Sequence, residues 1–285
     1  MCNRFIGIVS LVAAALLLFT SCGILSPNTS YETQSTAPRD NNGNEIPVYS
    51  DVNLTALDPE LFYTDENGRV RYADSSVKIY SGIDISVFQG DVDWDAVKND
   101  GIDFVMLRVG FRGYTQGSLN EDANFRKNCE NALRSGLNVG VYFFSQAITA
   151  EEAEEEADYV LSLIKDYDIQ YPVAYDWETI DYDSARTDGL DNETITQCAV
   201  RFCDRIAAAG YTPVIYFNRS LGYFNYDLSL IKDYHFWLAE YKGAPSFIYD
   251  YKLWQYSKDG TVNGIDGSVD LNISIQDYSE KESVG

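Results

Sequence analysis

Hydrophobic and polar positions follow two regimes along the 285-residue chain. From Lys78 onward, short apolar runs alternate with stretches of helical period. Ile79 to Ser86, Phe104 to Val109, Val139 to Phe144, Tyr171 to Glu178 and Pro213 to Phe217 read as buried strands. Helical patterns lie between them, over Trp94 to Asn99, about Asp122 to Ser135, Thr149 to about Tyr167, and about Asn192 to Ala209. Thr149 with Glu152 three residues later makes a capping box, and Gly210 stands where a helix C-cap needs it. After Phe217 the rhythm changes. Phe236 to Glu240, Leu253 to Tyr256 and Val269 to Ile273 read as strands, and the gaps between them hold Gly, Pro and Asp without room for a packed helix. Eight strands, the first five with helices, predict an α/β fold: a TIM-like irregular (β/α)5(β)3 barrel over residues 78–285, with its chemistry at the C-terminal strand ends.

The N-terminal regime is different. Arg4, the apolar run Phe5 to Phe19, and then Thr20-Ser21-Cys22 resemble a bacterial lipoprotein signal over residues 1–22, with Cys22 as the lipidated residue. A retained anchor, for which the run is short, and an ordinary secretory signal are the alternatives. Each of the three exports the protein, and lipidation would hold it on the outer face of a bacterial membrane. Residues 23–77 read as a flexible tether, rich in Ser, Thr, Asn, Asp and Pro to about residue 57, with a small hairpin over Leu61 to Tyr72 turned at Asn67-Gly68.

Charge and cysteine content narrow the function. A net charge of −23 argues against nucleic acid as a partner and against simple electrostatic capture on an anionic surface. Beyond the signal, the chain carries Cys129, Cys198 and Cys203, each on a helical pattern and expected as a free core thiol. Zinc spacings and Gly-rich phosphate loops are absent, so no metal or cofactor is expected. A monomer is expected. His235 is the single histidine; it starts the sixth strand away from any nucleophile motif, which leaves Ser-His-Asp and Cys-His catalysis without a base.

Carboxylate chemistry remains. Strand alternation puts Asp176 and Glu178 on one face and Trp177 on the other, with the two acids roughly 5–7 Å apart after two rises of about 3.3 Å. By themselves they read more readily as solvated strand-end acids than as functional ones. Asp84 and Asp270, however, each interrupt an otherwise apolar strand, the first and the eighth, which are neighbours in a closed barrel. Four carboxylates on one rim repel one another and raise at least one pKa, which suits a general acid near neutral pH. Facing adds Tyr142, Tyr216, Asn218, Trp237 and Gln255 as candidate substrate contacts, the aromatics serving either sugar stacking or barrel filling. Arg108 joins the candidate substrate-binding residues, with a role as buried counter-ion to the acids as its other reading. Glu151 to Glu156 reads as a solvated helix face.

These residues carry a resemblance. Gly82-Ile83-Asp84-Ile85-Ser86 with Phe88-Gln89-Gly90 and Asp93-Trp94 resembles the opening of glycoside hydrolase family 25, the Chalaropsis-type lysozymes. Gly101 to Phe104 with Arg108, Gly136 through Phe144, Asp176-Trp177-Glu178, Trp237 to Tyr241, Leu253 to Tyr256 and Val269 to Asn272 continue it in order, from about Tyr80 to Ile273. Phe143 stands where many members carry His, which implies altered substrate contacts. The resemblance implies an N-acetylmuramidase that cuts the β-1,4 bond between N-acetylmuramic acid and N-acetylglucosamine in peptidoglycan glycan strands. It implies Glu178 as general acid/base and retention of configuration. Asp176 would steady the substrate's 2-acetamido group as the internal nucleophile, or would itself attack. Asp84 and Asp270 would bind sugar and tune Glu178. A non-catalytic glycan-binding barrel is one alternative. A chitinase-like hydrolase is another, although Tyr171 and Ala174 occupy the first two acidic positions of that Asp-x-x-Asp-x-Asp-x-Glu motif.

Overall fold

The structure, a computed structural model, describes Arg39 and residues 43–180 and 184–279. Cys22 and the expected signal segment lie outside the described residues.

In chain order the elements are β1 (Phe62–Thr64), β2 (Val70–Tyr72), β3 (Tyr80–Ile85), α1 (Trp94–Asn99), β4 (Phe104–Arg112), β5 (Leu119–Glu121), α2 (Phe125–Arg134), β6 (Asn138–Ser145), α3 (Ala150–Ile164), β7 (Val173–Trp177), α4 (Asn192–Ala208), β8 (Pro213–Asn218), α5 (Arg219–Phe224), α6 (Leu228–Ile231), β9 (His235–Ala239), β10 (Leu253–Gly260) and β11 (Val269–Ser274). Eight of the strands close a barrel in the order β3-β4-β6-β7-β8-β9-β10-β11, with β11 returning to β3. Neighbours are parallel from β3 through β10, whereas β11 runs antiparallel to both β10 and β3. The expected barrel is therefore present, and its last strand is reversed.

Alternation along each strand sorts side chains between two cores. Phe104, Met106, Tyr171, Ala174, Val214, Trp237 and Leu253 fill the barrel interior. The opposite faces, with Val105, Val139, Val141 and Tyr175, pack against the helices. Two glycines make the interior possible. A Cβ on Gly82 would lie 2.2 Å from the Phe104 ring, and one on Gly140 would lie 2.5 Å from Met106 Sδ. Those close approaches exclude any larger residue.

Among the described residues no helix covers the outer face of β10, and the N-terminal hairpin packs on it instead. Phe62 of β1 meets Trp254 of β10 edge-on with centroids 5.1 Å apart, and Val70 of β2 is buried. Arg69 pairs with Asp100 at 2.6 Å, and Arg71 Nη1 donates to Ser81 Oγ at 2.8 Å. The segment expected to be tether up to residue 57 also lies on the barrel from Ile46 onward. Thr55 N donates to Ile248 O, Asp250 N donates to Asn53 O, and Ile46 and Val52 are buried. Attachment through backbone hydrogen bonds leaves no periodic signal in a polar sequence, which is why the stretch reads as unstructured.

Three short elements carried no readable pattern: β5, α5 and α6. The first extends the edge of β4, and the helices fill the connection from β8 to β9. The three cysteines are free and buried in helices α2 and α4, as expected. Burial pushes the thiols of Cys129 and Cys198 up to about 12.

Candidate active site

The open end of the barrel is built from strand ends. On β7, Tyr175 turns outward onto Phe202 of α4, with centroids 5.2 Å apart, while Asp176 and Glu178 line the mouth. Asp84 comes from the C-terminal end of β3. Asp270 comes from the N-terminal end of β11, and the reversal of that strand makes the two residues direct partners in register. A parallel eighth strand would have carried Asp270 to the far end of the barrel. All four carboxyl groups line one cleft of about 480 Å³, a size suited to a small ligand.

Asp84 is held by a converging network. Its Oδ2 accepts from Gln255 Nε2 and Asn272 Nδ2, both at 2.8 Å. Asn272 Oδ1 accepts from Trp237 Nε1 at 2.8 Å, and Gln255 Oε1 accepts from the hydroxyls of Tyr216 at 3.0 Å and Tyr241 at 2.8 Å. Each amide is thus oriented by a donor behind it, so both NH₂ groups face Asp84. Burial raises the Asp84 carboxyl, while the bonds from Asn272, Gln255 and Asp270 oppose that rise. Asp270 is pushed up to about 8, by burial first and then by the charge of Asp84 beside it. The proton of this pair therefore belongs on Asp270, which donates to Asp84.

The β7 pair is different. Burial, then Glu178, then Asp84 hold the Asp176 carboxyl well above the usual carboxylate range, and only Arg108 opposes them. Asp176 Oδ1 is buried without a hydrogen-bond partner. Burial and then Asp84 also raise Glu178. A carboxyl raised in this way is better suited to donate a proton.

Several predicted positions gather here, and others do not. Tyr142, Tyr216, Trp237 and Gln255 all line the cleft. Tyr216 and Tyr142 stand edge-on to Trp237, with centroids 4.9 and 6.1 Å away, so these rings act as both wall and filling. Asn218 is not among the lining residues. It caps α5, its Oδ1 accepting from Leu221 N at 3.0 Å, because a strand that ends in a helix needs a cap there. Arg108 lines the cleft but is the counter-ion of buried Asp122, at 2.8 Å through Nε and 2.7 Å through Nη2, and is not an ion-pair partner of the four acids.

Phe143 faces away from the cleft. It shares the outward side of the sheet with its register partner Tyr175 and meets Tyr159 of α3, whereas Phe144 faces the cleft beside Asp176. The residue thus packs against α3 and is not part of the cleft lining, so the expected effect on substrate contacts does not follow from its position. The acidic run on α3 also departs from expectation. Glu156 is fully buried, bonded to Arg112 Nε at 2.7 Å and to Ser145 Oγ at 2.6 Å, and burial raises it to about 7. His235 begins β9, with Nδ1 2.8 Å from Tyr278 OH in the barrel interior, and does not line the cleft.

Asn272, Tyr241, Phe88 and Asp122 are the contributors that sequence reasoning missed. Asn272 was within reach, since it lies two residues from Asp270 on the same strand. Asp122 gave no signal, because it lies outside the strand ends and earns its place through Arg108. Among the described residues no cluster of His, Cys, Asp and Glu is placed to hold a metal ion.

A closed barrel whose mouth concentrates four carboxyl groups, one pair bonded within the protein and one raised by burial with an open oxygen, presents the paired acids that glycosidic-bond cleavage uses. The profile of Glycosyl hydrolases family 25 matches residues 83–265, and the chain belongs to that family. Among curated relatives, the chain is 30% identical over 205 residues to an autolytic lysozyme of Clostridium acetobutylicum, covering 72% of this chain and 57% of that one. Lysozyme M1 of Streptomyces globisporus is 27% identical over 203 residues, covering 67% of this chain and 66% of its own length. Among solved structures, the modular autolysin LytC of Streptococcus pneumoniae, in complex with a synthetic peptidoglycan ligand, superposes with a TM-score of 0.63 at 26% identity, over 78% of this chain and 52% of that one. The chain thus spans little more than half the length of the autolytic lysozyme and of LytC.

Proposed function

We propose that the protein is an exported peptidoglycan hydrolase that cleaves the β-1,4 bond between N-acetylmuramic acid and N-acetylglucosamine. The buried, unpartnered Oδ1 of Asp176 beside the raised carboxyl of Glu178 carries this reading. An acceptor left open in a dry cleft is costly unless a substrate donor fills it, and the N–H of a 2-acetamido group is such a donor. Membership of the family and likeness to lysozymes and a peptidoglycan-liganded autolysin support the choice of glycan.

In the proposed reaction Glu178 gives its proton to the glycosidic oxygen as the bond to the anomeric carbon breaks. The acetamido carbonyl oxygen attacks that carbon from the opposite face, forming a cyclic oxazolinium, while Asp176 accepts from its N–H. Water then opens the ring at the anomeric carbon and Glu178, now a carboxylate, takes the water's proton, so configuration is retained. Direct attack by Asp176 is less well supported, because burial, and then the acids Glu178 and Asp84, raise its carboxyl and so disfavour the carboxylate that would have to attack. Mass spectrometry of a peptidoglycan digest tests the reading. Wild type should release muropeptides ending in reducing muramic acid, and Glu178→Gln should release none. Glucosamine at the new reducing end would instead indicate a chitinase-like specificity, and full activity of Glu178→Gln would overturn the assignment.

The signal-like N-terminus supports export, with lipid attachment at Cys22 holding the enzyme on the membrane's outer face as a monomer. Unchanged detergent-phase partitioning of Cys22→Ala would overturn the anchor.

A further inference from the structure

Phe88 is 81% exposed, more than any other large apolar side chain among the described residues, and it lies on the wall of the acid cleft. Its position is rigidly specified. It sits in a 3-10 turn, Val87–Gln89, closed by a capping box: Ser86 Oγ accepts from Phe88 N at 3.3 Å, and Gln89 Oε1 accepts from Ser86 N at 2.9 Å. Val87 N donates to Asp122 Oδ2 at 3.0 Å, and that same carboxylate fixes Arg108. The Arg108 guanidinium lies over the Phe88 ring at 4.9 Å and over Phe111 at 5.6 Å. Phe88, Arg108 and Phe111 therefore form a stacked column pinned at its centre by a buried acid.

This construction holds an apolar ring out in water, with the guanidinium over the ring and the ring itself still largely open. A membrane or protein docking site would need a contiguous apolar patch. Phe88 is instead one exposed ring, separated by the Arg108 guanidinium from the half-buried Phe111, and Gln89 and Asp84 line the same cleft. A small exposed aromatic face with hydrogen-bonding groups in the same cleft matches a pyranose, whose C–H face is apolar and whose hydroxyls point sideways.

We propose that Phe88 is a sugar-stacking platform on the β3 side of the cleft, binding a glycan ring beyond the residue whose bond is cut. This rests on the glycan-hydrolase reading above. The test uses the full chain carrying Glu178→Gln, which binds without cutting, and soluble uncross-linked peptidoglycan fragments followed by calorimetry. Adding Phe88→Ala should weaken binding of a tetrasaccharide about tenfold, leave a disaccharide nearly unaffected, and leave the unfolding temperature unchanged because the ring is exposed. Phe88→Trp should restore tetrasaccharide binding, a rescue that a merely structural role would not produce. If the parent binds both sugars and Phe88→Ala binds the tetrasaccharide equally well, the platform is wrong while the glycan reading stands. If the parent binds neither sugar, the glycan reading falls and the platform falls with it.

Discussion

The two pairs of carboxyl groups at the barrel mouth are built to different specifications. On the β3–β11 side, Asp84 receives two amide donors and shares a hydrogen bond with Asp270, and each amide is aimed by an indole or phenol behind it. On β7, Asp176 keeps one oxygen without a partner, and Glu178 is raised by burial and by the charge across the cleft. The first pair is satisfied by the protein, and the second keeps an open acceptor. Burial first, and then the charge of Asp84 on the satisfied pair, raises both carboxyls of the other. The difference separates scaffold from chemistry inside a single cluster of like residues.

Substitutions should break this contrast unequally. Glu178→Gln is expected to lower the turnover of peptidoglycan about 1,000-fold while the fold is retained, as measured by muropeptide release and thermal unfolding. Asp176→Asn comes next, with a loss of about 100-fold, since an amide presents an N–H where the substrate's own N–H must be received. A loss no greater than that of an exposed acid would show that Asp176 takes no part. Asp84→Asn should cost about tenfold in activity and lower stability by about 1–3 kcal/mol, because the amides of Gln255 and Asn272 lose their charged acceptor. Urea unfolding reads that stability loss. The pH at which activity falls on the alkaline side should also move down, because Asp84 raises Glu178.

The smallest expected effect concerns Asp270 and appears as a pH dependence. Its carboxyl sits at about 8 in the folded protein, above its value in the unfolded chain. The folded state therefore binds the extra proton between those values, and this group's contribution to stability is fully present below the ordinary carboxylate range and lost as pH rises toward 8. Asp270→Asn should accordingly gain stability relative to wild type at pH 8 and show little gain at pH 4. An equal difference at both pH values would remove Asp270 as the proton holder.

Sequence reasoning read the fold well where the signal was local. Trp94–Asn99 forms the expected helix without adjustment, and all eight barrel strands lie within a few residues of their expected limits. It read the β7 acids equally well, since alternation is a property of the strand itself. It failed for Glu156, which shares its helix with exposed acids but meets Arg112 of β4, 44 positions earlier. Asn218 misled in the opposite sense: its strand face was right, but the strand ends there and the side chain is spent on a cap. Arg108 was correctly placed in the cleft and wrongly partnered, because Asp122 lies off the strand pattern.

What the sequence by itself determined is the succession of strands and helices, the inward direction of Asp84, Asp176 and Glu178, and the aromatic stock of the barrel. Those follow from backbone periodicity, which needs only near neighbours. Tertiary structure alone decided that the last strand runs backwards and so delivers Asp270 to Asp84. It alone brought Gln255 and Asn272 to Asp84 from 171 and 188 positions away, and left Asp176 Oδ1 without a partner. Proton affinities and open valences depend on what stands within a few ångströms, and only closure of the barrel sets that.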